Sequence, residues 1–120
     1  MAKTLIVDDS AMSRRILRRI LESAGHEVVE AEDGMVAIEK YFLDKPDVML
    51  LDLIMKGMSG MEVLQKVREM DENARVIVAS ADIQKSTLEL TRAAGAEGFV
   101  NKPFVENEIL TAVDSALKER

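Results

Sequence analysis

Residues 47–60 read Asp47-Val48-Met49-Leu50-Leu51-Asp52-Leu53-Ile54-Met55-Lys56-Gly57-Met58-Ser59-Gly60. The run Val48-Met49-Leu50-Leu51 has no polar alternation, which is the signature of a strand covered on both faces, as in a parallel sheet flanked by helices. The run stops at Asp52, so the strand delivers one carboxylate into a loop. In sheets of this kind the chemistry gathers beyond the carboxyl ends of the strands.

Working outward, the same unit recurs. Lys3-Thr4-Leu5-Ile6-Val7 is β-rich and ends at Asp8-Asp9, after which Ser10 can cap a helix with apolar positions at Met12, Ile16, Leu17, Ile20, Leu21 and Ala24. Gly25 stops that helix, and His26-Glu27-Val28-Val29-Glu30 reads as a more polar strand, fit for a sheet edge. Asp33-Gly34 opens a second helix, with Val36, Ala37, Ile38 and Phe42 as packing positions, and Lys45-Pro46 ends it. After the Asp52 loop, Ser59 caps a third helix through Met61, Val63, Leu64 and Val67. Arg75-Val76-Ile77-Val78-Ala79 is a fourth strand ending at Ser80. Ile83 to Ala94 reads as a poorly amphipathic helix, because Leu88 and Leu90 cannot share a face and Thr87 and Thr91 interrupt the stripe, and it is expected to be the most mobile. Gly98-Phe99-Val100 is a short fifth strand, and Lys102-Pro103 precedes a last helix with Val105, Ile109, Ala112, Val113, Ala116 and Leu117 inward. Alternating strands and helices with short loops predict an α/β three-layer sandwich with right-handed crossovers.

Composition narrows the function classes. A chain of 120 residues is expected to form one domain, residues 1–120, with a core that needs no staples. Without cysteine there is no disulfide framework, thiolate metal site or thiol nucleophile. The net charge of −6 argues against general nucleic-acid binding. Met1-Ala2-Lys3 leads straight into a strand with no signal-peptide pattern, and no apolar run nears the ~20 residues of a membrane span, so a soluble cytoplasmic protein is expected. Arg14, Arg15, Arg18 and Arg19 form a local basic patch, either a solvated helix face or a docking surface for an acidic partner. His26 is the sole histidine and begins the second strand, where a structural or solvent-facing role fits better than a catalytic one, so no Ser-His-Asp arrangement is supported.

If the strands are parallel, one rim collects Asp8, Asp9, Asp52, Ser80 and Lys102. At ~4 Å and an effective dielectric of 20, each carboxylate pair costs about 4 kcal/mol, so the cluster must hold a proton or bind a cation. Oxygen ligands without His or Cys favour magnesium over zinc. Lys102 supplies a mobile charge and Ser80 a hydroxyl donor, and a phosphoryl group on Asp52 would meet metal, ammonium and hydroxyl together.

Leu5-Ile6-Val7-Asp8-Asp9, Leu50-Leu51-Asp52, Ala79-Ser80-Ala81 and Asn101-Lys102-Pro103-Phe104 together resemble the receiver domain of bacterial two-component response regulators, in order and spacing, over essentially the whole chain. Within that family the chain looks like the single-domain chemotaxis regulators. The resemblance implies a (βα)5 sandwich with strand order 2-1-3-4-5, which periodicity alone does not give. It implies that Asp52 accepts a phosphoryl group from a histidine kinase, a histidine phosphotransfer domain or a small phosphodonor. Mg2+, with Mn2+ as a substitute, would be bound by Asp9, Asp52 and the backbone carbonyl of Ile54, with Asp8 helping through water. Ser80 and Lys102 would hold the phosphoryl oxygens. Movement of Ser80 would draw Phe99 inward and alter the face of helix four, strand five and helix five for an unknown downstream protein. Lys102-Pro103 resembles the family's cis bond, and Arg14, Arg15 and Arg18 are candidates for kinase docking.

Three departures stand out. Lys56 replaces the family's usual proline, which implies a looser loop through Met55 to Met61 and a second cation near the rim. Its three methionines are either partly buried or an adaptable contact surface. Phe99 stands where many relatives carry tyrosine. Ile54 is apolar where the family governs water access, so slow loss of phosphate is expected, with Asp82 as the other modulator and Ile54→Asn speeding hydrolysis. Rival readings are weaker. A flavin or nucleotide module would want a Gly, Ser and Thr-rich cradle where this chain has Asp8-Asp9. A Mg2+-dependent phosphohydrolase would need a cap and substrate pocket that these short loops leave no room for. A phosphorylation-independent binding module is the remaining alternative, opposed by the intact Asp8, Asp9, Asp52, Ser80 and Lys102.

Overall fold

The computed structural model describes residues 1–81 and 84–118. Ten elements alternate: β1 (Lys3–Val7), α1 (Ala11–Ser23), β2 (Glu27–Ala31), α2 (Gly34–Asp44), β3 (Val48–Leu51), α3 (Gly60–Met70), β4 (Val76–Ser80), α4 (Lys85–Ala93), β5 (Gly98–Asn101) and α5 (Glu106–Lys118). The strands form one parallel sheet in the order β2-β1-β3-β4-β5. The polar strand β2 therefore lies at an edge, as its composition requires. Asp82 and Ile83, expected as a modulator and as the start of the fourth helix, lie outside the described residues.

Both sheet faces are covered, which explains the unbroken apolar strands. Leu5, Val7, Met49, Leu51, Val76 and Val78 pack with Ala37, Tyr41, Val63, Leu64 and Val67 of α2 and α3. The alternate residues Ile6, Val48, Leu50, Ile77 and Ala79 pack with Leu17, Ile20, Leu21, Ile109 and Val113 of α1 and α5. Side chains on a strand alternate in direction, so two helical layers demand apolar residues at every position. That clamps the strand ends between two cores.

The caps set where each helix begins. Ser10, Asp33 and Ser59 accept hydrogen bonds from the amides of Ser13, Val36 and Glu62, and the Glu62 carboxylate in turn accepts one from the Ser59 amide, completing a capping box. Gly25 ends α1 with φ +88°, the left-handed region that glycine enters without a steric penalty. Helix α4 lacks a side-chain cap, and its one buried residue is Thr91.

Several expected packing positions face solvent. Phe42 is 67% exposed because the inward stripe of α2 runs through Gly34, Ala37 and Tyr41, and residue 42 lies about 100° further round. Met12, Ile16 and Ala24 are exposed, since α1 buries only Leu17, Ile20 and Leu21. Val105 precedes α5 and is also exposed. His26 is structural: its Nδ1 accepts the Ala2 amide at 3.1 Å.

Candidate functional site

The parallel register places four strand ends on one rim. Val7 stands beside Leu51 and Ser80 beside Asn101, so the residues that follow emerge together. Backbone hydrogen bonds continue one step past the strands: Asp52 N–H donates to the Val7 carbonyl at 2.9 Å, Asp8 N–H to Ala31 at 3.2 Å and Lys102 N–H to Ser80 at 3.2 Å. The loops therefore leave the sheet with Asp8, Asp52 and Lys102 already held by their backbones.

The side chains converge. Asp8 and Asp52 are 1% and 4% exposed, Asp9 is exposed, and the three carboxylates each bring an oxygen to within 4.8 Å of the others. Lys102 Nζ reaches over from beyond β5 to lie 3.0 Å from Asp8 Oδ2 and 3.2 Å from Asp52 Oδ2. The remaining oxygens are oriented by amides. Ser10 N–H donates to Asp8 Oδ1 at 2.8 Å, Ile54 N–H to Asp52 Oδ1 at 3.2 Å and Lys56 N–H to Asp9 Oδ2 at 3.3 Å. Lys56 thus touches the site through its backbone.

The electrostatics follow from this packing. Burial pushes the Asp8 carboxyl above its ordinary range, because the Ser10 amide and the Lys102 ammonium only partly offset lost hydration, and the Asp52 charge adds to the rise. Burial alone would lower Lys102, but its ion pair with Asp8, its hydrogen bond to Asp52 and the attraction of both charges outweigh that, and its pKa is raised. One ammonium is shared by two buried carboxylates. Asp8 Oδ2 faces Lys102 at ion-pair distance yet has no aligned hydrogen bond. A buried anionic oxygen with spare capacity, beside two further carboxylates, fits a hard divalent cation.

The other predicted residues fall into two groups. Ser80 is buried at the end of β4, its carbonyl tied to the Lys102 amide, and Lys102-Pro103 is a cis peptide bond. Ile54 follows Asp52 at the rim and is 60% exposed. Phe99 lies further down β5, half-buried against the α2–α3 core, with the Arg92 guanidinium 5.2 Å from its ring centroid. The arginines of α1 are divided. Arg14 and Arg18 are both paired with Glu30 of β2, while Arg15 and Arg19 are exposed.

Two contacts escape sequence reading. Arg14 donates from its terminal nitrogen to the Asp8 carbonyl at 2.6 Å. Gly60, at the start of α3, lies so close to the Asp52 loop that a Cβ there would sit 2.3 Å from the Asp52 carbonyl oxygen. A glycine right after the helix cap Ser59 was the available sign of such an approach.

The comparisons agree with this geometry. The family model described as the response regulator receiver domain matches residues 4–114. The chemotaxis protein CheY of Bacillus subtilis is 40% identical over 116 residues, covering 96% of this chain and 97% of that one. CheY of Thermotoga maritima is 38% identical over 117 residues, covering 97% and 98%. The crystallised chemotaxis protein CheY4 of Vibrio cholerae superposes with a TM-score of 0.93 at 31% identity, covering 98% and 99% of the two chains. With the acidic rim and the 2-1-3-4-5 sheet in place, the chain belongs to the response regulator receiver domain family of two-component signalling.

Proposed function

We propose that this protein, as one receiver domain over residues 1–120, accepts a phosphoryl group on Asp52 and changes its α4–β5–α5 face in response. The observation that carries the reading is Lys102 Nζ, 3.0 Å from Asp8 and 3.2 Å from Asp52 at the mouth of a carboxylate cluster. Asp52 is oriented at Oδ1 by the Ile54 amide and at Oδ2 by Lys102, so it meets a donor in a set position.

In the transfer, a carboxylate oxygen of Asp52 forms a bond to phosphorus as the phosphorus–nitrogen bond of a phosphohistidine breaks. The imidazole leaves with the electron pair and takes a proton from solvent. Lys102, on a flexible stem, turns from the carboxylates to a phosphoryl oxygen, and the Ser80 hydroxyl donates to another. Mg2+, which Asp9, Asp52 and the Ile54 carbonyl would hold with Asp8 assisting through water and for which Mn2+ would substitute, would supply charge neutralisation for the phosphoryl oxygens. Asp8 keeps its outward oxygen toward this cluster because its other oxygen is tied to the Ser10 amide.

Once Ser80 moves to engage the phosphoryl group, it draws Phe99, two residues before the end of β5, inward. Helix α4 is suited to respond, since it buries Thr91 alone and carries no side-chain cap. The donors implied are a histidine kinase or a histidine phosphotransfer domain, and the reader is a downstream protein.

Intact-protein mass after incubation with acetyl phosphate tests the reading. A Mg2+-dependent gain of one phosphoryl group, lost in Asp52→Asn, is the expected result. No gain in folded, metal-loaded protein would overturn it in favour of a phosphorylation-independent binding module.

A further inference from the structure

Asp8 is held on more sides than a metal ligand on a free loop would be. Its amide bonds the Ala31 carbonyl, its Oδ1 accepts the Ser10 amide, and its own carbonyl accepts the Arg14 guanidinium at 2.6 Å. Arg14 is a predominantly buried side chain, 15% exposed, and its Nε donates to Glu30 Oε1 at 2.9 Å. Glu30 is anchored in turn: Lys40 Nζ donates to its carbonyl at 2.6 Å, and its second carboxylate oxygen takes Arg18. A continuous polar path therefore runs from edge strand β2, through one guanidinium of α1, to the peptide group between Asp8 and Asp9.

The geometry is that of a fork. A guanidinium offers donors in fixed directions, and here one is spent on the carboxylate and another on the carbonyl. Fixing that carbonyl fixes the peptide plane from which both Asp8 and Asp9 project. From this we infer that Arg14, braced by Glu30, is a positioning residue for the cation site, holding the Asp8-Asp9 turn so that both carboxylates face Asp52. The inference rests on the phosphoryl-acceptor reading above, and it gives two of the α1 arginines an internal task in place of partner docking. Outer groups that orient ligating residues commonly account for 10–100-fold in metal affinity.

The opposite result follows if Arg14 acts only through its charge. A cation near a cation site repels the metal, so Arg14→Gln would then bind Mg2+ more tightly and Arg14→Lys would match the wild type. Positioning requires that both variants bind more weakly, because lysine keeps the charge but has one ammonium head and cannot span both acceptors.

Calorimetric titration of the unphosphorylated protein with MgCl2 reads this directly. Expected are losses of about 10-fold or more in Mg2+ affinity for Arg14→Lys and Arg14→Gln, and no change for Glu22→Gln, which breaks only the exposed Arg18–Glu22 pair. Wild-type affinity in a folded Arg14→Lys overturns the inference while leaving the acceptor reading intact. Wild-type protein that binds no Mg2+ overturns the metal reading and this inference with it. If the Arg14 variants fail to fold, Glu30→Gln decides: it retains Arg14 but loosens its brace, and unchanged affinity there also overturns the proposal.

Discussion

Replacing Gly60 by alanine tests whether α3 must press against the Asp52 loop. The new Cβ would lie 2.3 Å from the Asp52 carbonyl oxygen, 2.5 Å from Leu53 Cα and 2.9 Å from the Asp52 carbonyl carbon. All three obstacles are backbone, so no rotamer change relieves them and either the loop or the helix must move. Overpacking of this kind costs about 1–3 kcal/mol, and rigid neighbours place it near 3. Alanine returns at most about 1 kcal/mol in helix propensity, leaving a net loss of about 2 kcal/mol. For a chain of this size that is a fall of about 8 °C in Tm. Because the displaced atoms belong to Asp52 and Leu53, the yield of acetyl phosphate labelling should fall as well. Gly57→Ala is the control: its φ of +77° costs a side chain about 1 kcal/mol, but nothing lies within 4 Å of the added Cβ. It should lose stability and keep its labelling. Thermal melts and mass spectra on the two variants decide the matter. A Gly60→Ala protein with wild-type Tm and wild-type labelling would refute the close approach.

Three further outcomes are expected. Lys102→Met removes the ammonium shared by Asp8 and Asp52, and, discounted for its partial exposure, should cost about 2 kcal/mol without metal. MgCl2 should then raise the Tm of the variant more than that of the wild type, and equal increments would contradict the shared-cation picture. Burial raises the Glu30 carboxyl, but the hydrogen bonds and charges of Arg18 and Arg14 outweigh this and hold it below its ordinary 4.5. A carboxyl depressed in the folded state stabilises above its unfolded pKa and loses that contribution as pH falls through its folded one. Acid unfolding curves below about pH 4.5 should therefore be shallower in Glu30→Gln than in the wild type. For partner docking, the paired Arg15→Glu and Arg19→Glu change should weaken phosphorylation by a kinase and spare acetyl phosphate labelling, and equal loss of both would remove α1 as a docking surface.

Much of this protein was legible in its sequence because the relevant information is local. Val48–Leu51 announced a strand covered on both faces, and Ser10, Asp33 and Ser59 marked helix starts by a hydrogen bond that spans three residues. A polar β2 belonged at an edge, and it is there. Once the strands are parallel, Asp8, Asp52, Ser80 and Lys102 must share a rim, since each follows or closes a strand pointing the same way. The family pattern added the strand order, which no periodicity contains.

What tertiary structure alone decided are the contacts between segments distant along the chain. Periodicity tells which face of an element is buried and not what lies opposite. It therefore left Phe42 in the expected core, when the packing of α2 turns Tyr41 inward and Phe42 out. It left Arg14 and Arg18 as surface charges until β2 placed Glu30 beside them. It brought Lys102 to the acidic rim but could not say that the ammonium sits between Asp8 and Asp52, because that depends on how far β5 carries the lysine stem past Ser80. The sequence by itself determined the elements, their caps and the residues delivered to the rim. Only packing determined which of those residues touch, because a hydrogen bond or ion pair is made between surfaces that meet only when both cores close on the sheet.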